Sequence, residues 1–377
     1  MGASRREFFT ALGKSAAAMG AFGALALPDF AMVPSPTASG AKPILLNSNE
    51  NSYGCSERVV HAIRDAQFAM NRYPNDEAVA LRERIAGLHG VKPERVTVGC
   101  GSSELLRMAV LSFLGPGKKV VLASPTYETV AKYSKAVGGE VSEVRLTRNW
   151  AHDLDAMFAR VDARTGLVYI CNPNNPTGSI TPRKDIEAFL GKLPPNVYVL
   201  IDEAYYHYMN PTDVNVSFLD RPVDNPRVIV TRTFSKIYGL AGMRIGYGVT
   251  SPEVAERFKV HQLYNSVPVA SIYAVNAALD DRAAVEKCAK HNADDRQEFL
   301  NQVNARMLRA IDSQTNFVMM NVARPVEEVI EHFKKHDILV GRKFPALGTY
   351  LRVSLGQPQE MEQFWHVWDQ MAGNMKM

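Results

Sequence analysis

Short apolar runs, spaced by stretches long enough for helices, constrain this chain more than any other feature. Val96 to Val98, Lys119 to Ser124, Glu140 to Leu146, Leu167 to Cys171, Val197 to Ile201 and Val228 to Val230 read as strands. Helical patterns lie around them: about Ser56 to Asn71, Glu77 to His89, Glu104 to Phe113, and Thr181 to Leu193 with Pro182 in its first turn. A run that is apolar throughout belongs to a strand covered on both faces. Such strands, alternating with helices, build a mainly parallel sheet. Ligand-binding residues of such a sheet gather at the carboxyl ends of its strands, where Ser102, Tyr127, Asn175, Asp202 and Lys236 fall. After about Ser251 the alternation blurs. Pro252 to Tyr264, Ala270 to Leu279 and Ala283 to Ala310 read as helices. Asn316 to Asn321 and Tyr350 to Ser354 read as strands around a helix from Val326 to His336. This predicts an α/β fold: a large domain with a mainly parallel sheet flanked by helices, plus a smaller α+β domain.

The chain has 377 residues, enough for one large domain and a smaller one. Its net charge of +4 is small and dispersed, which argues against a nucleic-acid partner. The four cysteines form no Cys-x-x-Cys pair and read as free thiols. The nine histidines show no His-Glu-x-x-His pattern, so no metal is predicted.

The first 41 residues read as an export signal and linker rather than fold. Arg5-Arg6 precedes Phe8, and an Ala-rich apolar stretch from Ala16 to Leu27 follows, too short to span a bilayer comfortably. The arginine pair resembles a twin-arginine signal, which addresses folded proteins for export. A periplasmic location is the expectation; a basic amphipathic helix on a cytoplasmic protein is the alternative. Val33 to Gly40, rich in proline and small polar residues, reads as the linker.

Chemistry concentrates in Thr231-Arg-Thr-Phe-Ser-Lys236 and the glycine-rich stretch to Gly248. Thr233, Ser235 and Arg244 are anion ligands, the arginine as a fixed fork. Lys236 among them is either one more cation or a nucleophilic amine that forms a Schiff base. Upstream, Val96 to Val98 runs through Gly99 and Gly101 into a helix, a strand–glycine–helix site for a phosphate; Gly-x-Gly alone is an incomplete nucleotide fingerprint. Asn175 lies in Asn172-Pro-Asn-Asn-Pro-Thr-Gly178, and Asp202 opens Asp-Glu-Ala-Tyr205. Singly, each has a plain structural reading: a turn-rich loop, a helix cap, a surface ion pair for Arg352.

Taken together and in this order, from about Asn47 to about Arg352, these motifs resemble the pyridoxal-phosphate aminotransferases of fold type I, most nearly the histidinol-phosphate aminotransferases. The resemblance implies pyridoxal 5'-phosphate held by Lys236, with Asp202 at the pyridine nitrogen and Asn175 and Tyr205 at the ring hydroxyl. It places the phosphate over Ser102 and Ser103 with Thr233, Ser235 and Arg244, and an aromatic, Tyr127, on the ring. Arg352, with Asn175 beside it, would meet the substrate's anionic group. Lys236, Asp202 and Tyr205 would be the catalytic residues. Tyr73 would reach the phosphate of a neighbouring subunit in a homodimer. The implied division is an N-terminal arm and start of the small domain over 42–72, a large domain over 73–265 and a small domain over 266–377.

The reaction implied is amino transfer between an amino acid, or histidinol phosphate, and a 2-oxo acid. A lyase, decarboxylase or oxidase on the same fold, or an exported non-catalytic binding protein, is the alternative. The arm departs from the family at Ser52 and Cys55, where proline is usual; both changes loosen its backbone. With the export signal, this departure leads us to expect a free aromatic or bulky amino acid, not histidinol phosphate, as the physiological substrate.

Overall fold

The computed structural model describes residues 42–210, 212, 216–220 and 225–372. Strand β1 (Ile44–Leu46) and helices α1 (Glu57–Asp65) and α2 (Asn75–Leu88) come first. Then follow β2 (Val96–Cys100), α3 (Gly101–Phe113), β3 (Lys119–Ser124), α4 (Thr129–Ala136) and β4 (Glu140–Arg145). Next are α5 (Leu154–Phe158), β5 (Thr165–Cys171), α6 (Arg183–Lys192), β6 (Tyr198–Asp202), β7 (Val228–Thr233) and β8 (Ile245–Val249). Helices α7 (Pro252–Lys259), α8 (Val269–Asp280) and α9 (Arg282–Ala305) lead to β9 (Arg309–Ala310) and β10 (Phe317–Asn321). The chain then forms α10 (Val326–Lys335), β11 (Ile338–Val340), β12 (Tyr350–Ser354) and α11 (Pro358–Ala372).

Seven strands form the large sheet in the order β2-β8-β7-β6-β5-β3-β4. Pairings from β7 through β4 are parallel, while β8 runs antiparallel to both β7 and β2. The apolar runs explain the layering. Val121, Val168, Ile170, Val199, Ile201 and Val230 enter one core. Their alternates Val120, Leu122, Leu167, Tyr169, Leu200 and Ile229 enter another on the opposite face. A strand such as β5, buried at every position, has no polar face to spare. Each such aliphatic side chain contributes roughly 1.5–3 kcal/mol by leaving water.

Two small sheets, β12-β10-β9 and β1-β11, frame a further core of Val318, Met320, Leu351, Val353, Phe364 and Trp365. Leu46 of β1 joins that core, so the arm begins as part of it.

Several elements differ from expectation. The first helix ends at Asp65 and tightens into a 3-10 turn over Ala66–Ala69. Helix α3 starts at Gly101, three residues before Glu104, which puts Ser102 and Ser103 in its first turn. The helix after Pro252 stops at Lys259. Helix α9 stops at Ala305; Met307 takes a left-handed φ of 54° and the chain becomes β9, so 309–310 is strand, not helix. Unanticipated are β1, β8, β11, α4 and α5, all short or glycine-interrupted, and the longer C-terminal helix α11. Ile272, Ala274 and Val275 of α8 pack in a core of the large sheet. The export-signal and linker residues 1–41 lie outside the described residues.

Candidate active site

Strand ends β2, β3, β5, β6 and β7 open onto a cavity of about 690 Å3. Its lining includes Ser102, Ser103, Tyr127, Asn175, Asp202, Tyr205, Thr233, Ser235, Lys236, Arg244 and Arg352. All but one of the expected site residues therefore meet in one chamber. The exception is Tyr73, which is 77% exposed and lines no part of it.

One wall is built for an oxyanion. Helix α3 begins at Gly101, so its first N–H groups have no carbonyl a turn earlier to receive them, and its dipole adds positive potential. Arg244 sits in the left-handed region at φ 51°, a strained setting for a non-glycine residue. Its guanidinium donates to the Ala241 carbonyl at 2.8 Å and to Ser235 Oγ at 3.4 Å. Glycine is required twice, at Gly101 by its φ of 70° and at Gly246 by close backbone approach. A Cβ on Gly101 would lie 2.6 Å from Arg244 Nη2, and one on Gly246 would lie 2.4 Å from the Ser102 nitrogen. Thr233 donates through its hydroxyl to Ser235 Oγ at 2.9 Å, completing a cluster of hydroxyls beside the arginine.

Asp202 ends β6 and is 2% exposed. Its carboxylate accepts from Tyr169 Oη at 3.1 Å and from Thr231 Oγ1 at 3.2 Å. Burial pushes its pKa up to about 6; the two hydroxyl donors restrain the rise. A carboxylate in this setting suits a cationic N–H partner, which would repay its desolvation.

Lys236 follows β7 on the loop. Its Nζ donates to the Asn49 carbonyl at 2.8 Å and the Ser48 carbonyl at 3.4 Å. Burial, and then the nearby Arg352 charge, lowers this amine to about 8, so roughly a tenth is neutral and nucleophilic at pH 7 and most of it above pH 8.

Arg352, on β12, donates from Nη1 to Asn175 Oδ1 at 2.8 Å and from Nη2 to the Asn47 carbonyl at 2.8 Å. Both acceptors are neutral, and Nε is buried without a partner. A guanidinium so placed is open to an anionic ligand. Apolar Ile330, Val340 and Phe344 line the cavity as well. At the same cavity Arg342 pairs with Glu128 at 2.7 Å. Hydrogen bonds from Arg342 and Lys132 hold the Glu128 carboxyl below its usual range despite the opposing effect of burial.

The arm crosses this site. Asn51 donates to the Ile237 carbonyl at 2.9 Å, and Gln357 donates to the Ser52 carbonyl at 2.8 Å. Side-chain hydrogen bonds hold the backbone where proline would otherwise have stiffened it. Contacts that the motifs did not reveal are those of Asn47, Asn49, Tyr169 and Thr231. Tyr169 sits inside an apolar run and Thr231 just after one, and neither carries a local signal of its partner.

The aminotransferase class I and II family model matches residues 41–367. The histidinol-phosphate aminotransferase of Moorella thermoacetica is 36% identical over 86% of this chain and 84% of its own length. That of Bacillus licheniformis is 35% identical over 85% of this chain and 89% of its own. Among solved structures, the histidinol-phosphate aminotransferase of Sinorhizobium meliloti in complex with pyridoxal-5'-phosphate superposes with a TM-score of 0.80 at 28% identity. The match covers 86% of this chain and 89% of that one.

Proposed function

This chain belongs to the class I and II aminotransferase family, and we propose that it moves the amino group of an aromatic or other bulky amino acid to a 2-oxo acid. Its cofactor is pyridoxal 5'-phosphate. The residues present fit that group: an oxyanion cradle, a buried carboxylate lacking a cation and a depressed amine share one cavity. Ser102, Ser103, Thr233, Ser235 and Arg244 would hold the phosphate, and Tyr127 would stack on the ring. Asp202 would face the ring nitrogen, and Asn175 and Tyr205 the ring hydroxyl.

When bound, the cofactor draws electrons from the carbon that carries the substrate amine. Lys236 would hold it and, once freed by the substrate amine, would move a proton between the substrate α-carbon and the cofactor carbon; its lowered pKa suits both the base and the acid role. Asp202 keeps its facing ring nitrogen protonated by electrostatic attraction. Arg352 grips the substrate carboxylate and sets the α-carbon at Lys236.

The observation that carries the substrate reading is the charge state of the cavity's arginines. Apart from Arg244 in the oxyanion cradle, Arg352 has only neutral partners, whereas Arg342 is already paired with Glu128. One open guanidinium matches one carboxylate, and Ile330, Val340 and Phe344 match an apolar side chain. The second reading, histidinol phosphate, draws on the relatives' names and on Arg342 as a second cation for a nearly dianionic phosphate. Steady-state kinetics separate the two. A kcat/KM for histidinol phosphate about tenfold above that for every free amino acid, ~1.4 kcal/mol of transition-state preference, overturns our assignment.

Two further parts of the reading stand on other residues. The Arg5-Arg6 pattern supports export to the periplasm; Arg5→Lys with Arg6→Lys should retain the folded enzyme in the cytoplasm, and unchanged fractionation refutes this. Exposed Tyr73 supports a homodimer with shared sites, as do Leu263 and Tyr264, which line a second cavity beside Pro74. Mixing Tyr73→Ala with Lys236→Ala subunits should restore activity, and a monomeric mass by light scattering refutes it.

A further inference from the structure

Asn49 is 1% exposed and lies in the left-handed region at φ 54°. Asparagine is among the few non-glycine residues that tolerate this backbone. Its main chain is fully engaged. The N–H donates to Ser354 Oγ at 2.8 Å, and the carbonyl accepts from Lys236 Nζ at 2.8 Å and Asn316 Nδ2 at 3.1 Å. Its side-chain orientation follows from the network. Oδ1 accepts from Ser354 Oγ at 3.2 Å, so Nδ2 faces Tyr205 Oη, to which it donates at 3.0 Å.

Asn175 acts on the same oxygen. Arg352 donates to its Oδ1, which fixes the amide and leaves Nδ2 to donate to Tyr205 Oη at 3.4 Å. A phenol oxygen has two acceptor lone pairs and one proton. Two amide donors fill the lone pairs. The proton is left over, and no acceptor among the described residues takes it. Tyr205 lines the cavity, so that proton is available to a ligand there.

We propose that Asn49 is a positioning residue: its amide, with that of Asn175, makes the Tyr205 hydroxyl an obligate donor to the ring oxygen of the bound cofactor. The inference rests on the reading above that Tyr205 meets that oxygen. Burial pushes the Tyr205 phenol up and keeps it protonated, which maintains the donor across the working pH range. A donor at the ring oxygen favours its ionised form, so loss of the donor should raise the pH at which the visible absorption band of the loaded protein titrates.

Titration of that band in wild type, Asn49→Gly, Tyr205→Phe and the double variant tests the idea. Glycine keeps the left-handed backbone and its main-chain bonds while deleting the amide. Tyr205→Phe should raise the midpoint. Asn49→Gly should raise it in the same direction by about half a unit or more, and the double variant should match Tyr205→Phe alone, since coupled residues do not add. Asn49→Asp, near-isosteric, replaces the donor by an acceptor that captures the hydroxyl proton, and should also raise the midpoint if the glycine variant does not fold. Unmoved midpoints in the Asn49 variants, or full additivity in the double variant, overturn the inference while Tyr205→Phe still shifts and upholds the Tyr205 reading. An unmoved midpoint in Tyr205→Phe overturns both.

Discussion

Asp202 and Glu203 adjoin at the end of β6, and successive residues of a strand face opposite sides of a sheet. Both are buried, at 2% and 4% exposure. Glu203 is served on every side: Arg232 Nε donates at 3.0 Å, Ser217 Oγ at 2.5 Å and the Phe218 N–H at 2.8 Å. Arg232 in turn stacks 4.2 Å over the Tyr206 ring. Asp202, one residue away, receives two hydroxyls and the Ala204 N–H and forms no ion pair among the described residues. The two arginines repeat the contrast, with Arg232 paired and Arg352 given neutral acceptors. One face of the sheet closes its charges internally. The other leaves a carboxylate and a guanidinium incompletely matched, and that mismatch is what a cofactor and a substrate complete.

The largest effect should come from the incomplete face. Lys236→Ala should lower turnover by about 10^4-fold, the scale of losing a positioned general base, with the melting temperature little changed. Retained turnover in the purified variant would remove Lys236 from the mechanism.

On the closed face the effect should be on stability. Glu203→Ala takes the nearer carboxylate from buried Arg232, leaving it only the half-exposed Asp220 at 3.5 Å, and should cost about 3–5 kcal/mol. Replacing both partners with methionine should cost far less, because no orphan charge remains. Urea unfolding of the three variants checks this; equal losses in the single and double variants would show that the pair is not acting as a charge pair.

Asp202 should behave in the opposite sense. Its folded pKa of about 6 lies above the ordinary 3.8, so in the cofactor-free protein its contribution is fully present below 3.8. It is lost as pH rises through about 6. The span corresponds to about 3 kcal/mol. Asp202→Asn should flatten that part of the stability–pH curve and leave the cofactor-free protein more stable at pH 7, while weakening cofactor retention. A variant whose curve parallels wild type would contradict the assignment of this burial strain to Asp202.

The smallest effect concerns Lys236. Burial and Arg352 lower its amine to about 8 from 10.5, and only the neutral amine is nucleophilic. Cofactor capture by the cofactor-free protein should therefore accelerate as pH rises through about 8, and Arg352→Gln should move the midpoint upward. A wild-type midpoint near 10.5 would mean that the site exerts no such pressure.

The parallel strands were legible because a strand covered on both faces carries an apolar run, as at 167–171 of β5, 199–201 of β6 and 228–230 of β7. Strand β8 was not: Ile245-Gly-Tyr-Gly-Val249 reads as part of a glycine-rich loop until it is paired between β2 and β7. The chemistry-bearing residues followed the same division. Lys236, Asp202, Asn175, Arg244 and Arg352 stand in local patterns with recognisable chemistry, and the fold brings them to one cavity. Their partners do not announce themselves. Asn49 reaches Tyr205 across 156 residues of chain, and Arg352 reaches the Asn47 carbonyl across 305. Sequence by itself determined which residues could carry charge and which runs had to be buried, because both are properties of side chains and short periodicities. Only the tertiary structure decided which of two adjacent carboxylates received an arginine. Charge pairing and desolvation depend on what distant segments place within a few ångströms, and no local pattern encodes that distance.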